Sequence, residues 1–180
     1  MYHPFLIGEK VYLRGLERED LEGNYFQWLN DYEVTRLLAS GTFPNSREAM
    51  EEYLTRMRTS GRDIFFAIVE KETDRHIGNL RVGDIDWIRR TASIGQLIGE
   101  KDCWGKGYGT EALKLAVEYC FNRLNLHKIV EAAASSATAA IKYMEKLGFV
   151  LEGTLRKEAF IDGEYQDALR YGLLREDYKF

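Results

Sequence analysis

Cysteine and proline are both scarce in these 180 residues, with two of each. Two cysteines, Cys103 and Cys120, are too few for a disulfide framework. Cys120 lies in an apolar helical stretch and reads as a core residue. Cys103 has no nearby histidine to make it a nucleophile. The prolines, Pro4 and Pro44, do not divide the chain, and there is no repeat, low-complexity tract or long linker. One domain over residues 1–180 is expected. No apolar run reaches membrane-spanning length, and residues 1–10 lack the basic start and apolar middle of a secretion signal. The expected location is cytoplasmic, with no membrane partner. His3, His76 and His127 are scattered without metal-ligand spacing, so no metal is expected. Basic charge is lacking too: 25 Lys and Arg against 29 Asp and Glu leave a net charge of −4. That weighs against a nucleic-acid partner and tolerates a cationic substrate, although it also serves solubility alone.

What the chain does have is punctuated secondary structure. Val11 to Leu16 alternates as a strand, Glu19 to Leu29 reads as a helix, and Glu33 to Leu38 as a short one. Ser46 is placed to cap a helix running to about Arg58. Ile64–Glu70, His76–Trp87 and Arg90–Gly99 follow as strands. A helix is expected from about Lys106 to Leu124, then a strand over Lys128–Ala134 and a helix over Thr138–Leu147 closed by Gly148. Phe149–Ile161 and Glu164–Leu174 finish the chain, joined by Asp162-Gly163, a hairpin turn that needs positive φ at both central residues. This order is α+β or mixed α/β.

Chemistry concentrates in Trp104-Gly105-Lys106-Gly107-Tyr108-Gly109-Thr110, between a strand and a helix. Alternating glycines let successive N–H groups point into one concavity, and the positive end of the helix dipole adds to it; a phosphate or pyrophosphate suits such a place. The alternative is a loop whose glycines serve tight turning only. The spacing is neither a P-loop nor a dinucleotide fingerprint.

From Trp104 to Ala112 the sequence resembles the acetyl-CoA pyrophosphate loop of the GNAT acetyltransferases. Ala140-Ile141-Lys142-Tyr143-Met144-Glu145-Lys146-Leu147-Gly148-Phe149 resembles their helix ending in Gly-Phe, and Glu152–Arg156 with Asp162–Tyr165 and Asp167 resembles the closing hairpin of the Rim-like branch. That branch includes ribosomal-protein N-terminal, spermidine and amino-sugar acetyltransferases. Leu13–Asp20 and Trp28–Asp31 are similar to its N-terminal portion, so the likeness covers nearly the whole chain. It implies a mixed, mostly antiparallel sheet of about seven strands with helices on both faces. It implies acetyl-CoA as co-substrate and a primary amine as acceptor: a polyamine, an amino sugar or a protein N-terminus. Leu97, Ile98 and Gly99 are then expected to pair with the pantetheine arm, and the loop from Gly105 to Thr110 to hold the pyrophosphate. The family's final hairpin often contributes to dimers, which makes a homodimer an expectation.

Three positions depart from the family pattern. Trp104 stands where Gln or Arg is usual, and its ring could pack on the cofactor instead. Ala137 replaces the Asn that contacts pantetheine. Met144 replaces the Tyr usually assigned to protonate the departing thiolate; Tyr143 next to it is turned by about 100° and is expected to pack on another helix face. Candidate bases or amine-binding groups are Glu33, Asp84 and Ser93, with Asp86 and Glu131 also acidic and near the acceptor side. Asp84 and Asp86 fall on one side of a strand, the pattern of a cation-binding pair and equally of a solvated face. The losses at Met144 and Ala137 leave a second reading, a non-catalytic acyl-CoA sensor on the same scaffold.

Overall fold

The structure, a computed structural model, describes residues 3–179. In chain order the strands are β1 (Leu6–Ile7), β2 (Val11–Gly15), β3 (Ile64–Glu70), β4 (Arg75–Asp86), β5 (Thr91–Ile98), β6 (Lys128–Ala134), β7 (Val150–Ile161) and β8 (Glu164–Leu174). The helices are α1 (Tyr25–Leu29), α2 (Tyr32–Thr35), α3 (Arg47–Thr59), α4 (Tyr108–Asn122) and α5 (Thr138–Lys146). The strands form one sheet in the order β1-β2-β3-β4-β5-β6-β8-β7. Every neighbouring pair is antiparallel except β5 and β6. The mixed, mostly antiparallel sheet was expected. Its eighth strand is the two-residue β1, pairing Leu6 with Leu13, too short to show in a periodicity.

Period-two alternation sends successive side chains to opposite faces, and both faces are covered. Val11, Leu13, Phe66, Ile68, Leu80 and Ile129 meet α4 and α5, while Tyr12, Ala67, Val69 and Leu97 meet α1 and α3. Helix α4 supplies Ala112, Leu113, Ala116, Val117, Cys120 and Phe121, one helical face, all fully buried. Each large apolar side chain buried this way stabilises by about 1.5–3 kcal/mol.

The helix expected over Glu19–Leu29 is broken into a 3₁₀ turn at Arg18–Glu22 and the short α1. Asp20 is the cause. Its carboxylate is drawn inward to Arg14 through two bonds of 2.7 and 2.6 Å and also accepts the Glu17 N–H, which tightens the turn, and Gly23 then leaves helical space. The short helix expected over Glu33–Leu38 stops at Thr35. Helix α4 begins two residues later than expected because Gly107, at φ 87°, is left-handed and cannot belong to it. Other local signals hold: Ser46 accepts the Ala49 N–H at 3.1 Å, and Asp162 and Gly163 take φ 54° and 83°.

The feature that positions the site is the β5–β6 pair. Its parallel register runs only from Thr91↔Lys128 to Ser93↔Val130, although β5 continues to Ile98 and β6 to Ala134. Beyond Ser93 and Val130 the strands part, leaving a gap in the middle of the sheet.

Candidate active site

At the C-terminal end of β5 the chain enters the glycine-rich loop. Gly105 has φ 74°, and a Cβ there would meet nothing. Gly107 is the N-cap of α4, and a Cβ there would meet only Lys10 Nζ, at 3.7 Å. The loop therefore presents an open concavity to solvent above the first turn of α4, whose leading N–H groups have no partner within the helix. Lys10 leans over this place and donates to the Lys106 carbonyl at 3.0 Å. No local signal marked Lys10, since it lies 96 residues away in sequence. Glu111, the acid in the first turn of α4, turns away and accepts the backbone N–H groups of Glu9 and Lys10. An anion at the loop would thus meet Lys10, Lys106 and the leading amides of α4, while the nearby Glu70 carboxylate is taken up by the Tyr108 hydroxyl.

Around the loop, Trp104 donates its indole N–H to the Ile98 carbonyl at 2.8 Å, and the Gly99 N–H donates to Ile77 O at 2.9 Å. Two of the three backbone units proposed for the pantetheine arm are thus partly engaged. Gly99 has a further reason to be glycine: a Cβ would fall 1.9 Å from the Trp28 ring. The indole N–H of Trp28 in turn binds Glu100 at 3.0 Å, tying the N-terminal helices to the end of β5. Cys103 is buried beside Arg75, 3.0 Å from its guanidinium, and burial pushes its thiol up, as befits a structural cysteine.

The gap itself is lined by polar groups on an otherwise apolar face. Glu131 is the first residue of β6 past the last pair with β5, and it shares the face of Ile129 and Ala133. Its Oε1 is closed off from solvent with no hydrogen-bond partner among the described residues, and so is Oε1 of Gln96 on β5. Burial pushes the Glu131 carboxyl up to about 8. Tyr143 of α5 packs on the core as expected, but its phenol also reaches this cluster: burial raises it, the nearby Glu131 raises it further, and the Gln96 amide draws it back. Met144 is fully buried among core residues, and Ala137 is the N-cap of α5 with no side-chain cap.

Of the three catalytic candidates, Ser93 and Asp84 come together and Glu33 lies apart. Ser93 Oγ binds Asp84 at 3.0 Å and the Gly83 carbonyl at 3.2 Å. Asp84 is exposed, left-handed at φ 54°, and 3.4 Å from Arg81. Glu33 lies past the other end of β5, in an ion pair with Lys101 at 2.6 Å that Asp31 shares at 2.8 Å. At about 3.3 Å per residue, the stretch of β5 from Ser93 to Ile98 alone spans roughly 17 Å. Nor do Asp84 and Asp86 form a pair: the ladder is irregular between Gly83 and Asp86, and Asp86 accepts the N–H groups of Ile88 and Arg89 at 2.9 and 2.8 Å. It caps a turn. In the sequence Glu131 is one acid among several, because nothing there places it at a strand divergence.

Among the described residues no helix is long and apolar enough to cross a membrane. Residues 10–150 match the acetyltransferase (GNAT) domain. The chain is 31% identical to spermidine N(1)-acetyltransferase of Vibrio cholerae over 96% of its own length and 97% of that protein's. It is 33% identical to spermidine N(1)-acetyltransferase of Escherichia coli K12, over 93% and 88%. The crystal structure of the V. cholerae spermidine N-acetyltransferase in complex with CoA and spermine superposes with a TM-score of 0.86 at 30% identity, covering 95% of this chain and 99% of that one. With an open glycine loop at a helix N-terminus, a sheet parted beside it and these likenesses along nearly its whole length, the chain belongs to the GNAT family and is an acetyl-CoA-dependent N-acetyltransferase.

Proposed function

We propose that the protein transfers the acetyl group of acetyl-CoA to a primary amine of a polyamine. The observation that carries this reading is the full-length likeness to an enzyme whose structure holds CoA and spermine together. The net charge of −4 and the exposed carboxylates of Glu33 and Asp84 on the N-terminal-helix and β4 sides agree with a polycationic acceptor.

In this reading the pyrophosphate lies on the loop from Gly105 to Thr110, with Trp104, Lys106, Tyr108 and Gly109 around it and Lys10 as a further cation. The pantetheine arm runs along Leu97 and Ile98 to the gap between β5 and β6, passing Ala137. There the thioester meets a neutral amine. Met144, inside the core, contributes packing under the arm rather than a proton.

Thiol release from acetyl-CoA, followed with spermidine, spermine, several amino sugars and short N-terminal peptides, tests the proposal. Turnover on the polyamines at well above the rate on the other amines is the expected result. Preference for an amino sugar or a peptide would replace the acceptor. Acetyl-CoA binding with no thiol release on any amine would return the chain to the sensor reading.

A further inference from the structure

We propose that Glu131 is the general acid of the transfer, its carboxyl handing a proton to the coenzyme A sulfur as the thioester breaks. This rests on the reading that acetyl-CoA enters the gap between β5 and β6. The amine nitrogen forms the new bond to the acetyl carbon, the C–S bond breaks with its electron pair on sulfur, and the Glu131 proton moves to that sulfur. The proton shed by the amine goes to water, and Glu131 is reprotonated from solvent. The products are the amide and the free thiol.

Three observations converge. First, position: Glu131 is the first β6 residue beyond the last β5 pair, where the sheet opens. Second, hydrogen bonding: Glu131 and Gln96 both act on the Tyr143 phenol, and the buried Oε1 of each has no donor among the described residues. A buried acceptor left without a donor is costly. An ionised Glu131 would add a charge to that deficit, whereas a protonated one supplies a donor. Third, Met144 cannot give a proton, and Tyr143 is a worse acid than a free phenol.

The electrostatics agree. A carboxyl near 8 is closely matched to a thiol, whose ordinary value is about 8.5, and matched values favour proton transfer. On the elements packed against β6 the titratable groups of this face are Cys120 of α4, Tyr143 of α5 and Tyr171 of β8. Burial holds all three neutral, and Glu145 stands behind Tyr171, accepting its hydroxyl at 3.2 Å.

The test is the pH dependence of kcat, read as thiol release, for the full chain and three variants. Any amine that is turned over serves, because the proton goes to sulfur whatever the acceptor. Failure on spermidine therefore bears on the acceptor and not on Glu131. The wild type is expected to lose kcat as pH rises through about 8. Glu131→Gln is expected to lower kcat by about 100-fold and abolish that alkaline limb, with KM for acetyl-CoA and its calorimetric affinity unchanged. Glu131→Asp should recover part of the rate and keep a limb. Tyr143→Phe should keep most of kcat and the limb. A Glu131→Gln enzyme with kcat near wild type, or a wild type with no alkaline limb, overturns the proposal. So does loss of the limb in Tyr143→Phe, which moves the proton to the phenol.

Discussion

Burial turns Glu131 from an ordinary carboxylate, which would titrate at 4.5, into one that titrates at about 8. Between those values the folded protein holds a proton that the unfolded chain has released. Its contribution to stability is therefore complete below 4.5 and is lost progressively as pH rises through 8. Denaturant unfolding across that range should show the wild type losing stability relative to Glu131→Gln; parallel curves would contradict a half-buried neutral acid. The opposite strategy is seen at Asp20. There, burial opposes ionisation, but the bonds from Arg14 and the Glu17 N–H outweigh it and hold the carboxyl below its usual range. The same kind of side chain is thus kept ionised where donors surround it and kept protonated where they are missing.

At the level of elements, the junction between β5 and α4 has two requirements, a left-handed residue to turn the chain and an uncharged one to admit an anion. Gly107 meets both. Gly107→Ala introduces only the strain of a Cβ at φ 87°, about 1–2 kcal/mol. Gly107→Asp adds a negative charge at the helix N-terminus, where the pyrophosphate belongs. Titration calorimetry is expected to show acetyl-CoA affinity reduced by at least about 10-fold further in the Asp variant than in the Ala variant. Equal losses in the two would mean that the loop turns the chain without holding a phosphate. The loop and the hairpin were legible in the sequence because glycine at a turn is a local requirement. The break between Arg18–Glu22 and α1 was not, because it depends on Arg14, a strand residue that pulls Asp20 under the sheet.

On the scale of the molecule, β7 is the outer strand of the sheet, twelve residues long, with Val150, Leu151, Leu155 and Phe160 all exposed. A long edge with an apolar complement is a template for another strand or sheet. Self-association through the β7–β8 hairpin is expected. Sedimentation at micromolar concentration should find an oligomer that Leu155→Lys with Phe160→Glu dissociates; a monomeric wild type would refute this. The described molecule also separates its acids by role. Glu33 with Asp31 holds Lys101 beyond one end of β5, Asp84 holds Ser93 near the other, and Glu131 stands in the gap between the strands. A scan of the sequence for carboxylates could name all of them and rank none.

The strand and helix alternation, the Ser46 cap, the Asp162-Gly163 turn, the glycine-rich loop and, through its motifs, the family can all be read from the chain of residues alone. Each of these is written in residues a few positions apart, where φ/ψ preference, period and capping act. Folding is what brings Lys10 to the loop, sets Asp84 against Ser93 with Glu33 beyond the other end of β5, and gathers Gln96 and Glu131 around Tyr143. Those groupings follow from where two parallel strands part and what α4 and α5 cover, and desolvation, which holds the proton on Glu131, is a property of that enclosure and not of glutamate.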